Sequence, residues 1–169
     1  MIKFIKKNPA IPQRWIVLTA LACSLTTTQA QTLQAEKAFI KENMEFATKQ
    51  YSLMMQTPAQ GKNGKAIMPH SMRKDGTPSK GSIYLWTAGF FPGTLWYLSN
   101  YTGDKALQDS ALVYTHQMEP AKTFTDNHDI GFMMYCSYGN ANRFAPKDEY
   151  EDILVESARS LCTRFRPQA

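Results

Sequence analysis

Ile40, Met44, Ala47, Tyr51 and Met54 follow one another at steps of three and four residues. That spacing stacks side chains on one face of a helix; a strand shares a face at every second residue. Tyr150, Ile153, Leu154, Ala158 and Leu161 repeat the pattern near the end of the chain. Between them, "WTAGFFPGTLWYLSNY" (86–101) reads as a helical stretch interrupted at "FFPG", where Pro92 suits a first turn or a kink. No comparable series of alternating residues predicts strands. The class is therefore all-α, with about five helices joined by loops, and the recurrence of helix pairs points to helical hairpins.

Punctuation supports this division. Gly103 ends one helix and Asp104 caps the next. After a loop at 119–126, Asp126 or Asn127 can cap a helix running to about Asn140, and a last helix starts near Pro146. Residues 58–82, "PAQGKNGKAIMPHSMRKDGTPSKGS", read as one long Gly-, Lys-, Ser- and Pro-rich loop, and long loops in compact domains are often functional.

The first thirty residues stand apart. Lys3, Lys6, Lys7 and Arg14 precede the apolar stretch Trp15 to Leu25, and Thr28-Gln29-Ala30 offers small residues for cleavage. This is the pattern of a secretory signal, with an apolar run too short for a permanent anchor. A mature domain is expected over 31–169, exported and in the periplasm, with lipid attachment at Cys23 as a second reading because Ala20 stands where Leu is usual. The segment also accounts for the charge. The chain has 19 basic and 14 acidic residues; removing four basic ones leaves 15 against 14, a net charge of about +1. Nucleic-acid binding has no electrostatic support, and nothing after the signal is apolar enough to span a membrane.

Cys136 and Cys162 remain in the mature part; an exported protein could pair them, but two cysteines make no disulfide framework and buried free thiols are expected. His70, His116 and His128 lack metal-ligand spacing, and the sequence holds no phosphate-cradling glycine loop and no nucleophile elbow. His128-Asp129, at the head of "NHDIGFMMYCSYG", places a carboxylate where the chain enters an apolar run. Two readings follow. A helix start can stabilise the anion through exposed N–H groups and the dipole. Alternatively, nearby Phe132, Tyr135 and Tyr138 would oppose that effect and leave an acid poised for proton transfer. Among the aromatics of 85–96, core packing is the default. Trp86, at the junction of loop and helix, could instead stack on a sugar ring. Arg73, Lys74 and Lys80 could meet an acidic ligand or form a solvated basic loop.

Three blocks, "WTAGFFPGTLWYLSNYTGD", "NHDIGFMMYCSYGNANRF" and "ILVESARSLCTRF", occur in one order and at matching distances. Together they resemble glycoside hydrolase family 88, the unsaturated glucuronyl hydrolases, from about residue 38 onward. The resemblance implies a toroid of six helical hairpins, of which about five helices are present here. It implies hydrolysis of a 4,5-unsaturated uronic acid from the non-reducing end of lyase-generated, glycosaminoglycan-type oligosaccharides, with no metal or organic cofactor. Protonation at C4 and water addition at C5 give a hemiketal that falls open, chemistry distinct from attack at an anomeric carbon.

By the same resemblance Asp129 matches the first key aspartate, which supports the second and the charge developing on the ring. His128 belongs to the same motif, and Trp86 lines the subsite for the unsaturated sugar. The family's second aspartate has no match in this sequence; Asp148, Glu149 and Asp152 do not fit its motif, and Leu85 stands where relatives often carry a polar residue. The expectation is an N-terminal portion of such an enzyme, inactive and poorly soluble alone, with apolar faces uncovered. The alternatives are an unsaturated rhamnogalacturonyl hydrolase of family 105 and a non-catalytic saccharide-binding fragment.

Overall fold

The computed structural model describes residues 13–56, 60–61 and 64–167, with side chains from Thr32 onward. The first twelve residues of the expected signal, and all its side chains including Cys23, lie outside this range. Two compact units divide the chain, Met1–Asn43 and Met44–Ala169. The first is helical from Gln13, and its side chains from Thr32 to Asn43 are exposed. No helix among the described residues is long and apolar enough to cross a membrane.

The second unit opens on the end of helix α1 (Gln13–Met54) and continues through strands β1 (Met68–Met72) and β2 (Pro78–Gly81). Helices α2 (Phe90–Thr102) and α3 (Lys105–Gln117) follow, then a 3-10 turn at Glu119–Thr123. Helix α4 (Ile130–Met134) runs through a π turn at Tyr135–Gly139 into α5 (Asn140–Phe144), and α6 (Asp148–Cys162) comes last. Counting the continuous 130–144 stretch once, five helical segments are present among the described residues, as the periodicity predicts.

Local chemistry sets the boundaries. Pro92 falls in the first turn of α2, where its missing N–H costs nothing. Gly103 closes that helix at φ +72° and donates its N–H to the Ser99 carbonyl; a left-handed conformation of this kind favours glycine. One residue on, the Asp104 carboxylate accepts the N–H of Ala106 at 2.8 Å and caps α3.

The long loop expected over 58–82 differs. Its second half folds into an antiparallel hairpin, with Met68 opposite Gly81, Met72 opposite Pro78 and a register shift between Pro69 and Ser71. The turn is built by Asp75, whose carboxylate accepts both the N–H (3.0 Å) and the hydroxyl (2.7 Å) of Thr77, and by Gly76 at φ +79°. Arg73 closes it, donating to the Pro78 carbonyl at 2.7 Å.

The core lies between α2, α3, the 130–144 stretch and α6. Leu95, Trp96, Leu107, Met133, Tyr138 and Tyr150 are fully or almost fully buried, and each large apolar side chain there contributes about 2 kcal/mol of burial. Trp96 donates its indole N–H to Thr115 Oγ1 at 3.0 Å, satisfying two buried polar groups at once. From α1, Met44, Ala47 and Tyr51 pack on this core and Met54 enters it. In α6 the buried seam is Tyr150, Ile153 and Ser157, whereas the expected Ala158 is exposed. The helix is turned slightly from the expected phase, and the Ser157 hydroxyl satisfies itself on the Leu154 carbonyl at 2.8 Å. Beside this seam an apolar groove of about 290 Å³ opens between α4 and α6, lined by Ile130, Met134, Leu154 and Leu161.

Candidate active site

Two glycines bring the segments bearing Trp86 and Asp129 together. A Cβ on Gly89 would stand 2.2 Å from the Met133 carbonyl oxygen, and one on Gly93 would stand 2.6 Å from that of Cys136. Both distances are far inside van der Waals contact, so only hydrogen lets α2 lie on the backbone of α4 and the π turn. Trp86 immediately precedes this contact. Met133 belongs to the first turn after Asp129 and donates its N–H to the Asp129 carbonyl at 3.1 Å.

His128 and Asp129 do not sit inside the first helical turn. The Asn127 side chain accepts the N–H of Asp129 at 2.9 Å, forming a small turn, and the helix begins at Ile130. Asp129 takes the capping position, yet its carboxylate accepts no capping hydrogen bond. The carboxylate therefore gains no N–H bond from the helix start, although the dipole of the stretch that begins at Ile130 still favours an anion there. Instead, Asp129 Oδ1 lies 3.3 Å from His128 Nε2, with the carboxylate side chain 21% exposed and the imidazole 79% exposed.

Trp86 stands in the turn ahead of α2 and is 48% exposed. It meets Phe90 edge to face at 5.8 Å, and Phe90 meets Phe132 edge to face at 6.3 Å. Core packing was expected for Phe90, but it is open to solvent, as is Phe132. Phe91 and Trp96 are buried as expected. The outcome is an exposed aromatic row from Trp86 to Phe132, one helical turn beyond Asp129. Tyr135 is also exposed, whereas Tyr138 is fully buried and faces the core. On the other side of Trp86, Thr87 Oγ1 and His70 Nδ1 lie 3.1 Å apart, tying the hairpin to the Trp86 turn.

Sequence reasoning named Trp86, His128 and Asp129, with Phe132 as an aromatic neighbour of Asp129, but missed the exposure of Phe90, the contact of His70 and the glycines that hold the two segments together. The available signal was "GFFPG": glycines four apart share one helix face and permit close backbone approach. Such a surface offers apolar ring faces for the C–H face of a sugar, with a carboxylate and an imidazole at one end. Among the described residues no group of His, Cys, Asp and Glu is arranged to hold a metal ion. Cys136 and Cys162 are free, but half-buried and exposed respectively, not both buried as expected; burial pushes the Cys136 thiol up.

The helical fold of the second unit has counterparts among known proteins. No family model matches the chain. An unsaturated glucuronyl hydrolase of Formosa agariphila is 42% identical over 81 residues, covering 47% of this chain and 20% of that protein. One from a Bacillus species is 32% identical over 89 residues, covering 50% of this chain and 23% of that protein. Among solved structures, an unsaturated glucuronyl hydrolase specific for heparin superposes with a TM-score of 0.65 at 38% identity, covering 75% of this chain and 33% of its own. An unsaturated glucuronyl hydrolase of Streptococcus agalactiae shares the fold, with a TM-score of 0.57 at 22% identity. The matches thus span about a fifth to a third of these proteins' own length. The resemblance to glycoside hydrolase family 88 holds over that part, and the fold is that of part of an (α/α) toroid.

Proposed function

We propose that the protein releases a 4,5-unsaturated uronic acid from the non-reducing end of lyase-generated oligosaccharides by hydrating its vinyl ether. The observation that carries this reading is the Asp129 carboxylate, held at the head of α4 without a capping partner and one turn from the exposed aromatic row. A structural carboxylate at that position would accept backbone N–H groups. Trp86 supplies the face on which the terminal ring stacks. When C4 takes a proton, positive charge develops at C5 and the ring oxygen, and the Asp129 carboxylate stabilises it. Water then adds its oxygen to C5 and loses a proton; the hemiketal opens to a C5 ketone, which frees the ring oxygen as the hydroxyl of a C1 hemiacetal, and that hemiacetal collapses to the aldehyde and releases the next sugar. His128 Nε2 stands 3.3 Å from one oxygen of Asp129 and pairs with it when the imidazole is protonated.

Delivery of the proton belongs to a second carboxylate. The family's second aspartate has no match within these residues, so the proposal concerns the whole protein. A glycosaminoglycan-type substrate is favoured by likeness to the heparin-specific structure, and export to the periplasm by the signal pattern of residues 1–30. Unsaturated disaccharides from heparin and from pectin lyases test the reading. Loss of the ultraviolet absorbance of the double bond with the heparin products is expected. Consumption of the pectin products alone would mean a rhamnogalacturonyl hydrolase, and binding with no loss of absorbance a saccharide-binding protein.

A further inference from the structure

A cavity of about 490 Å³ lies between the end of α3, the 3-10 turn and the first turns of α6, and neither Trp86 nor Asp129 lines it. Its volume is that of a small-molecule site, for which about 300–1,000 Å³ is usual. Tyr138, Tyr150 and Ile153 form its buried part. Around them stand the carboxylates of Glu119, Glu149 and Asp152, with the single ammonium of Lys122. That ammonium is shared between Glu119 at 3.1 Å and Glu156 at 3.2 Å, while Glu149 pairs with Lys147 at 3.6 Å. Asp152 is exposed and forms no ion pair among the described residues. The lining therefore carries an excess of negative charge.

Carboxylates alone would make a solvated acidic edge. Tyr138 separates this cavity from one. Its side chain is fully buried, and its hydroxyl has no hydrogen-bond partner among the described residues, whereas buried polar groups are normally paired. Its neighbour Tyr150, with ring centroids 5.4 Å apart, has its own hydroxyl engaged with His116 Nε2 at 3.2 Å. Burial pushes the Tyr138 pKa up, and Glu119, Tyr150 and Glu149 add to the rise, so the hydroxyl keeps its proton. Those three groups all line the cavity, and the unpaired hydroxyl is aimed among them. The Tyr150 wall already serves one ammonium: Lys147 Nζ lies 5.3 Å from its ring centroid.

We propose that the cavity between α3 and α6 is a separate binding site for a small primary amine bearing hydroxyl groups, whose ammonium meets Asp152 and Glu149 and whose hydroxyl pairs with Tyr138. An ammonium offers three N–H donors to carboxylates that lack enough cations of their own. A ligand hydroxyl gives Tyr138 the partner that the protein does not supply. The site is independent of the Asp129 chemistry and takes a ligand of opposite charge to an unsaturated uronic acid.

The test is calorimetric titration of the full chain with glucosamine and with N-acetylglucosamine, which keeps the ring and hydroxyls but loses the charge. Binding of glucosamine, and none of N-acetylglucosamine, is expected. Asp152 is exposed, so Asp152→Asn should fold, as circular dichroism will check, and should bind glucosamine about tenfold more weakly. Tyr138→Phe should bind it about fivefold more weakly. Because the Tyr138 hydroxyl has no partner to lose, that variant should melt no lower than wild type without ligand. A Tyr138→Phe protein that melts lower and binds glucosamine like wild type would show that the hydroxyl is satisfied structurally, and would overturn the proposal. Equal affinity for the two sugars would also overturn it, since the charge would not be read. Loss of binding on Trp86→Ala but not on Asp152→Asn would put the amine on the aromatic row and overturn this site while leaving the Trp86 reading standing. Failure of the wild-type chain to bind glucosamine would overturn it outright.

Discussion

Gly89→Ala tests how the site is assembled. Gly89 has φ −69° and ψ −18°, which alanine adopts without strain, so any cost comes from contact alone. The added methyl would stand 2.2 Å from the Met133 carbonyl oxygen, and ordinary contact begins at 3.4 Å. The two backbones must separate by about 1.2 Å, the difference between those distances. Neither is a flexible side chain that can swing away, so overpacking at the upper end of its usual range, about 3 kcal/mol, is expected. For a unit of this size that lowers the melting temperature by about 10 °C. Gly131 is the control. It lies in α4 with nothing within 4 Å of its Cβ position, so Gly131→Ala should stabilise by up to about 1 kcal/mol through helix propensity. Thermal unfolding followed by circular dichroism reads both. A Gly89→Ala protein as stable as wild type would refute the close approach of α2 and α4, and with it the placement of Trp86 near Asp129.

Thr115→Val should cost about 1–3 kcal/mol in urea unfolding, because it strands the buried Trp96 indole N–H without an acceptor. Thiol labelling followed by peptide mapping should find Cys162 modified well before Cys136, which is half-buried and whose thiol is pushed up by burial. The hairpin turn should weaken in acid. Two hydrogen bonds from Thr77 hold the Asp75 carboxyl below its ordinary value of 3.8. The folded value being depressed, the stabilisation is present above about 3.8 and is lost as pH falls through the lower folded value. Amide NMR shifts of residues 73–78 should report this, and Asp75→Asn should abolish the acid transition.

Helix positions were legible because each exposes a three-and-four pattern and because Gly103, Asp104 and Pro92 mark boundaries by mechanisms that act locally. The hairpin was not. "MPHSM" and "PSKG" carry no β-branched or aromatic residue, and the register shift after Pro69 breaks alternation. Its readable trace was the Asp75-Gly76 pair, a turn signal inside what reads as loop. The π turn at 135–139 also left no local mark. For the site, residue type singled out Trp86 and Asp129, but their juxtaposition depends on a tertiary contact at Gly89 and Gly93. Phe90 looked like core because exposure of an aromatic is decided by what packs over it, and one helical face does not encode that.

Asp129→Asn is the most direct test of the account, since it keeps the shape of the side chain and removes its charge. Asp129 accepts no capping hydrogen bond, so folding stability should change by less than about 0.5 kcal/mol. The measurement is the rate at which the whole protein removes the ultraviolet absorbance of an unsaturated heparin disaccharide. The account predicts at least about a hundredfold loss with unfolding unchanged. Turnover within a fewfold of wild type would contradict it and take Asp129 out of the reaction.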